Sequence, residues 1–300
     1  MNTETLLRFE RFLVKPWDEK RRIVGSRFDR LLHRAPFVTR IDPGFLWVAW
    51  QDVIRDSVLD GSFEKAERAF VQKFLRPGMV VLDIGAYCGL YTLTASKKVG
   101  PKGRVIAFEP SSYQMRRLRW HLVLNRAVNV TTEKLALGNT EGQSAFFIAP
   151  GGFAGFSSLR APSAIDAPVS PARVNVTTLD AYLARKNVAR VDFIKIDVEG
   201  GELDVFKGAS NLLRREPRPV ILSELEDRRT EAWGHKAKDA AVFLQGLGFR
   251  WFRPLPNGSL TRIPDDPHLY ERNFVAVPDE RVSEIVETTA GPEASDLQGK

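Results

Sequence analysis

The segment FIKIDVEGGE sets Lys195, Asp197 and Glu199 at alternate positions, and SELEDR does the same with Glu224 and Glu226. While a chain stays extended, alternate residues share one side, so each segment presents a short row of charge. If the two are adjacent parallel strands, Asp197 comes near Glu224. Carboxylates paired in this way can take the proton of a poor nucleophile such as a hydroxyl, or hold a divalent metal that helps remove it. Asp197 is therefore a candidate general base or metal ligand, and Glu224 a candidate holder of substrate, metal or base. A purely structural alternative has Asp197 capping a helix that starts near Gly201 and Glu199 bonding backbone amides. His235, in AWGHKAK, is a second candidate base. His33, His121 and His268 have no acidic or histidine partner at ligand spacing and read as structural. Cys88, the one cysteine, excludes an internal disulfide and a Cys-rich zinc site. It reads as a small buried filler.

A second constellation lies upstream, where DIGAYCGLYT follows the apolar run MVVL. A strand that ends in a tight glycine turn lets the backbone approach a ligand, and Gly85 and Gly89 bring no Cβ to obstruct it. Glu109, in VIAFEP, closes the next strand 20 residues beyond Gly89 (109 − 89). A carboxylate there can accept hydrogen bonds from both hydroxyls of a ribose, so the pair of signals points to a nucleoside-containing cofactor. The spacing is D-x-G-x-x-x-G rather than the G-x-G-x-x-G of dinucleotide folds, and the turn also holds Asp83 and the bulky Tyr87. An acidic residue beside the turn repels a pyrophosphate but suits a cationic amino acid and a sulfonium. That favours S-adenosylmethionine over NAD.

These residues need a frame to hold them. Strand patterns fall at 79–84, 104–108, 130–136, 191–196, 219–225, 248–253 and 273–277, with helical patterns at 90–98, 111–125, 178–186, 201–215 and 236–246. The alternation predicts an α/β fold with a doubly wound, mostly parallel sheet. The last two strands follow each other with no helix between them, as an antiparallel pair at one edge would. Residues 149–172, rich in Gly, Pro, Ser and Ala, form a long loop that reads as an active-site lid or a passive insertion.

The expected organisation is a basic, partly helical extension over 1–60, one α/β domain over 61–278, and an acidic disordered tail over 279–300. Of the net charge of +7, residues 8–40 hold ten cations against four carboxylates, whereas 279–300 hold six carboxylates against two cations. Within residues 15–40, Ile23, Phe28, Leu31 and Leu32 alternate with arginines. Such a segment reads as a solvated basic helix on the domain's edge, or as one lying on an anionic membrane or acidic substrate. No apolar run approaches the length of a membrane span, and the N-terminus lacks the order of a secretion signal, so a cytoplasmic protein is expected.

VVLDIGAYCGLYTLTA, VIAFEPSSYQMRRLRWHLVLN, LALGNTEGQSAFF, VTTLDAYL and VDFIKIDVEGGELDVFKGA follow, in order, the pattern of the FkbM-type methyltransferases. The resemblance runs from about residue 52 to 253, and KIDVEGGE is its most specific part. It implies a class I, Rossmann-like S-adenosylmethionine-dependent methyltransferase fold, with a seven-stranded sheet whose last strand is antiparallel. It also implies O-methylation of a hydroxyl, so the expected acceptor is a sugar, a glycan or another small-molecule natural product. By that likeness Asp83, Gly85 and Gly89 line the methionine portion of the cofactor, and Tyr87 replaces an Asn common there. Glu109 binds the ribose, and Ala136 with Leu137 present backbone and apolar surface to the adenine. Two alternatives stand beside this reading. One is an RNA methyltransferase, suggested by the basic chain and by Arg116, Arg117 and Arg119, although no RNA-binding module or Asn-Pro-Pro-Tyr type motif is present. The other is a cofactor-binding scaffold without activity.

Overall fold

A computed structural model describes residues 35–162, 168–264 and 271–289. The chain divides into two compact units, Met1–Phe63 with Gly151–Phe153, and Glu64–Pro150 with Ala154–Lys300. In the first, β1 (Phe37–Ile41) and β2 (Phe45–Ala49) form an antiparallel hairpin, followed by the short helix α1 (Arg55–Asp60). Phe45, Trp47 and Ala49 alternate inward along β2, the period-two pattern of a half-buried strand. The expected helical extension thus contains a hairpin. The basic stretch over residues 15–40 lies outside the described residues as far as residue 34.

The second unit opens with α2 (Lys65–Phe74), whose Phe70, Val71 and Phe74 form one buried stripe. Strand and helix then alternate: β3 (Val80–Ile84), α3 (Leu90–Val99), β4 (Arg104–Phe108), α4 (Ser112–Leu124), β5 (Val130–Glu133). After β6 (Ala136–Leu137), β7 (Gly142–Ile148) and β8 (Ser170–Thr177) come α5 (Leu179–Arg185), β9 (Phe193–Ile196), α6 (Glu202–Lys207) and α7 (Ser210–Arg214). The chain continues through β10 (Val220–Glu226), α8 (Asp227–Thr230), α9 (Ala237–Gln245), β11 (Phe249–Pro254), β12 (Leu260–Arg262), β13 (Glu271–Pro278) and α10 (Val282–Thr289).

The main sheet runs β12-β11-β13-β10-β9-β3-β4-β5. From β5 to β10 every pairing is parallel, while β13 is antiparallel to both β10 and β11. β3, β4, β9 and β10 are almost wholly buried because helices cover both faces, which is why they read as unbroken apolar runs. Leu82, Ile84, Ile106, Ile194 and Ile221 pack on one side, and Val81, Val105, Phe193, Val220 and Leu222 on the other. The α/β expectation holds, with a short eighth strand, β12, added at the edge.

Three details differ from the sequence reading. The run 130–136 breaks after Glu133, and Ala136–Leu137 leaves the main sheet to pair with β8 in a separate three-stranded sheet, β6-β8-β7. Its hairpin of β7 and β8 is not among the strand patterns read from the sequence, and the expected loop over 149–172 is shortened by β8 from Ser170 and pinned where Phe147 bridges Ser158. Residues 163–167 of it lie outside the described residues. The expected disordered tail begins instead with a helix: in α10, Ile285 is buried against the α2 side of the sheet with Val282 and Val286 beside it. Spacing of i, i+3 and i+4 gives the segment an apolar face that its acidic composition concealed. Residues 290–300 lie outside the described residues.

Candidate active site

The site is built where β3, β4, β9 and β10 end. Asp83, at the close of β3, is fully buried, and its Oδ2 accepts a hydrogen bond from the Thr92 hydroxyl of α3 at 2.5 Å. Its Oδ1 is buried and has no hydrogen-bond partner among the described residues. Burial pushes the Asp83 carboxyl up, against the nearby charge of Lys195. The chain then turns at Gly85, at φ +77°, where a Cβ would stand 1.7 Å from the Asp197 carbonyl oxygen. Only glycine fits a left-handed position with a backbone so close.

Tyr87 also has a left-handed backbone, φ 50°, a conformation costing a bulky residue roughly 1–2 kcal/mol that Asn tolerates better. Two features hold it there: its N–H donates to Glu109 Oε2 at 2.9 Å, and its ring faces the Arg117 guanidinium 5.5 Å from the centroid. Gly89 starts α3, again with a left-handed φ, of 96°. Cys88 is completely buried, and its carbonyl meets His121 Nδ1 at 2.7 Å. Both residues thus pack the turn, in keeping with the structural reading of each. His33 and His268 lie outside the described residues.

Glu109 follows β4 and is buried. Its Oε1 accepts the Ser111 N–H at 2.7 Å while Oε2 takes that of Tyr87. Each carboxylate oxygen has capacity for a further donor, which is the arrangement two ribose hydroxyls require. Burial pushes the Glu109 carboxyl up to about 8, against these two backbone donors. Ala136 and Leu137 stand apart in role. Their side chains are buried, Ala136 beside Phe146 and Val174 and Leu137 in the main core, so only their backbone remains to border a ligand.

On β9 and β10 the expected convergence occurs. Ile196 pairs with Ser223, so the next residue on each strand, Asp197 and Glu224, falls side by side. Oxygens of Asp197, Glu199 and Glu224 all lie within 4.8 Å of one another. Lys195 donates to Asp197 Oδ2 at 2.8 Å. Burial works against the Lys195 charge, yet Asp197, Glu64 and Asp83 outweigh it and raise its pKa. Burial pushes the Glu199 and Glu224 carboxyls well up, and the neighbouring Asp197 charge adds to the effect. Arg229 Nε bridges Glu199 and Glu226, 3.1 Å from each.

Asp197 does not cap the following helix. α6 has no side-chain cap; the backbone N–H groups of Val198 and Gly200 donate to Glu202 Oε1 at 3.0 and 3.3 Å instead. Glu202 was not singled out from sequence, nor were the residues behind Lys195. There Tyr91 lies under the Lys195 ammonium at 5.2 Å and donates its hydroxyl to Glu64, which also accepts from Asn273. Glu64, reached from distant segments, leaves no local spacing to detect. Ser158, from the long loop, reaches the Val198 and Glu199 carbonyls at 3.2 and 3.0 Å, and Trp233 Nε1 donates to the same Glu199 carbonyl at 3.1 Å. His235 is not brought into this group. Its Nδ1 faces the Lys236 carbonyl at 3.2 Å, and among the described residues it joins neither Asp197 nor Glu224 by hydrogen bond or ion pair.

A strand-end carboxylate, a glycine turn under Asp197 and a buried Glu109 match the motif order read from the sequence, and the profile of the Methyltransferase FkbM domain matches residues 83–251. The chain belongs to the FkbM methyltransferase family. Its domain is that of an S-adenosylmethionine-dependent methyltransferase, and the residues present fit that cofactor: an orphaned buried Asp83 oxygen, a turn no Cβ could enter, and a ribose-sized acceptor in Glu109. The FkbM chain is 28% identical to the AMB antimetabolite synthetase AmbE of Pseudomonas aeruginosa over 207 aligned residues, 58% of this chain and 10% of that one. It is 27% identical to Methyltransferase 1 of Beauveria bassiana over 144 residues, 43% of this chain and 57% of that one. A ribosomal RNA large subunit methyltransferase E from Nitratidesulfovibrio vulgaris shares 57% identity over only 35 residues, 12% of this chain and 17% of that one. The chain thus spans a tenth and a little over half of the first two relatives' lengths.

Proposed function

We propose that the chain transfers the methyl group of S-adenosylmethionine to a hydroxyl of a sugar, a glycan or another small-molecule natural product. The observation that carries this reading is the convergence of Asp197, Glu199 and Glu224 beside the Gly85 turn. When bound, the cofactor supplies an electrophilic methyl on a sulfonium; the chain's own task is to align an acceptor oxygen and take its proton. On this reading Asp83, Gly85, Tyr87 and Gly89 line the methionine end, Glu109 holds the ribose hydroxyls, and the backbone of Ala136 and Leu137 borders the adenine. Asp197, with Oδ2 held by Lys195, offers Oδ1 to the acceptor hydroxyl as its base. Glu224, whose carboxyl burial pushes well up beside that charge, orients the acceptor. The same carboxylates are hard oxygen donors of the kind a divalent cation takes, and an ion held there would supply Lewis acidity in place of the base. Residues 156–160 of the long loop, pinned by Ser158 to the turn after β9, would form one wall over the acceptor.

The likeness to an antimetabolite synthetase supports a natural-product acceptor. The RNA relative matches too short a segment to favour RNA. No helix among the described residues is long and apolar enough to cross a membrane; a cytoplasmic location is part of the proposal. The test is isothermal titration with S-adenosylmethionine and S-adenosylhomocysteine, Glu109→Ala serving as control, followed by a screen of hydroxylated glycans and polyketides with and without a chelator. Micromolar binding lost in the variant, with methyl transfer to a hydroxyl, is the expected result. A folded protein that binds neither compound would revive the scaffold reading, and methyl incorporation into nuclease-sensitive RNA would replace the acceptor class.

A further inference from the structure

The outer face of α4 is apolar and basic at once, and nothing in the described fold covers it. Trp120 and Val123, one helical turn apart, are 58% and 73% exposed, and Val128 in the turn that follows is 90% exposed. Trp120 and Val123 line a groove of about 560 Å³ whose rim carries Arg116, Arg119 and Lys134. Residues 112–134 hold four exposed cations, Arg126 being the fourth, against Glu133 alone, a net of +3 (4 − 1), while Arg117 is buried. That one carboxylate is already engaged by Lys186 at 3.0 Å. Arg116 rests over the Tyr113 ring and Arg119 on the Thr132 hydroxyl, and neither meets a carboxylate among the described residues.

We propose that this face docks the protein peripherally on a bilayer rich in anionic phospholipid. An aromatic and two aliphatic side chains held out at a helix end are suited to the boundary between headgroups and acyl chains, and the surrounding cations complement the negative surface. Single-stranded nucleic acid would use the arginines and stack on Trp120, but Val123 and Val128 give a base nothing to stack on and a phosphate nothing to bind. The docking surface is separate from the carboxylate cluster, so it stands or falls independently of the methyl acceptor.

The experiment is co-sedimentation of the full chain with vesicles of phosphatidylcholine alone or mixed with phosphatidylglycerol, across a salt series. Binding to the mixed vesicles only, weakening as salt rises, is expected. Trp120→Ser with Val123→Ser should weaken it by about tenfold or more, and Arg116→Glu with Arg119→Glu should abolish it, while S-adenosylhomocysteine binding and melting temperature stay those of the parent. As a measurement that does not rely on destabilising variants, tryptophan emission should shift to the blue on mixed vesicles, and Trp120→Phe should remove that component. No sedimentation with either vesicle overturns the proposal. So does binding that survives both double substitutions, which would move the contact elsewhere, or binding to single-stranded RNA in place of the vesicles.

Discussion

The carbonyl oxygen of Asp197 lies 1.7 Å from where a Cβ on Gly85 would stand, and the Asp197 N–H donates to the Ile84 carbonyl at 3.0 Å. The cofactor turn and the candidate base are therefore fixed against each other through backbone. Gly85→Ala must displace one of them and adds roughly 1–2 kcal/mol for the left-handed φ alone. Thermal melting and titration should show both a lower melting temperature and loss of S-adenosylhomocysteine binding. A variant that keeps both would contradict this packing. Gly89→Ala should be milder, because its Cβ meets only the Leu118 side chain, at 2.3 Å.

Glu109 gives a pH dependence of definite sign. Its carboxyl is pushed up to about 8 by burial, and ribose hydroxyls donate best to the ionised form. Cofactor affinity should therefore rise with pH through about 8 and level off above it. Stability runs the other way: the folded state keeps a proton that the unfolded carboxyl loses near its ordinary value, so this contribution is greatest below that value and is lost as pH rises to about 8. Titration at several pH values with Glu109→Gln as comparison should show a weaker affinity that no longer changes with pH. Equal slopes in parent and variant would assign the dependence to another group.

Glu202 holds the turn after Asp197 by accepting two backbone N–H groups, and burial pushes its carboxyl up to about 7. Glu202→Ala leaves both donors unsatisfied and should cost roughly 1–3 kcal/mol in urea unfolding. Glu202→Gln keeps an acceptor and should cost less, while removing the stability otherwise lost as pH rises through about 7. If the two variants unfold alike, the hydrogen bonds contribute little.

For the chemistry, Asp197→Asn should lower turnover by about 10²–10⁴ with cofactor affinity little changed. His235→Ala should leave turnover near the parent's, since among the described residues His235 joins neither Asp197 nor Glu224 by hydrogen bond or ion pair. Initial rates on the identified acceptor decide both. A collapse of activity in the histidine variant alone would restore His235 as base.

What could be read in advance was whatever depends on local pattern. Asp83, Gly85 and Glu109 sit at strand ends, and apolar runs bounded by glycine mark those ends; Asp197 and Glu224 follow from parallel register once the strands are known. The break after Glu133 could not be read, because Leu135 and Ala136 continue the apolar pattern while Ala136 pairs with Val176 in another sheet. Glu64 and Glu202 were missed for the opposite reason: each works through partners that only the folded chain supplies, Tyr91 and Asn273 for one and a left-handed glycine turn for the other. Composition misled at α10, where an acidic count hid three apolar residues on one face.

β13 enters the sheet between β10 and β11 although, among the described residues, it follows both along the chain. Until Pro278 has been synthesised, the ribosome displays β10, with Glu224 at its tip, as a bare edge that any other strand could occupy. The sheet edge beside Glu224 thus stays open until a strand 45 residues further along (271 − 226) has been made. A chain cut before Glu271 would be an aggregating precursor with its cofactor strands intact, instead of a smaller working enzyme.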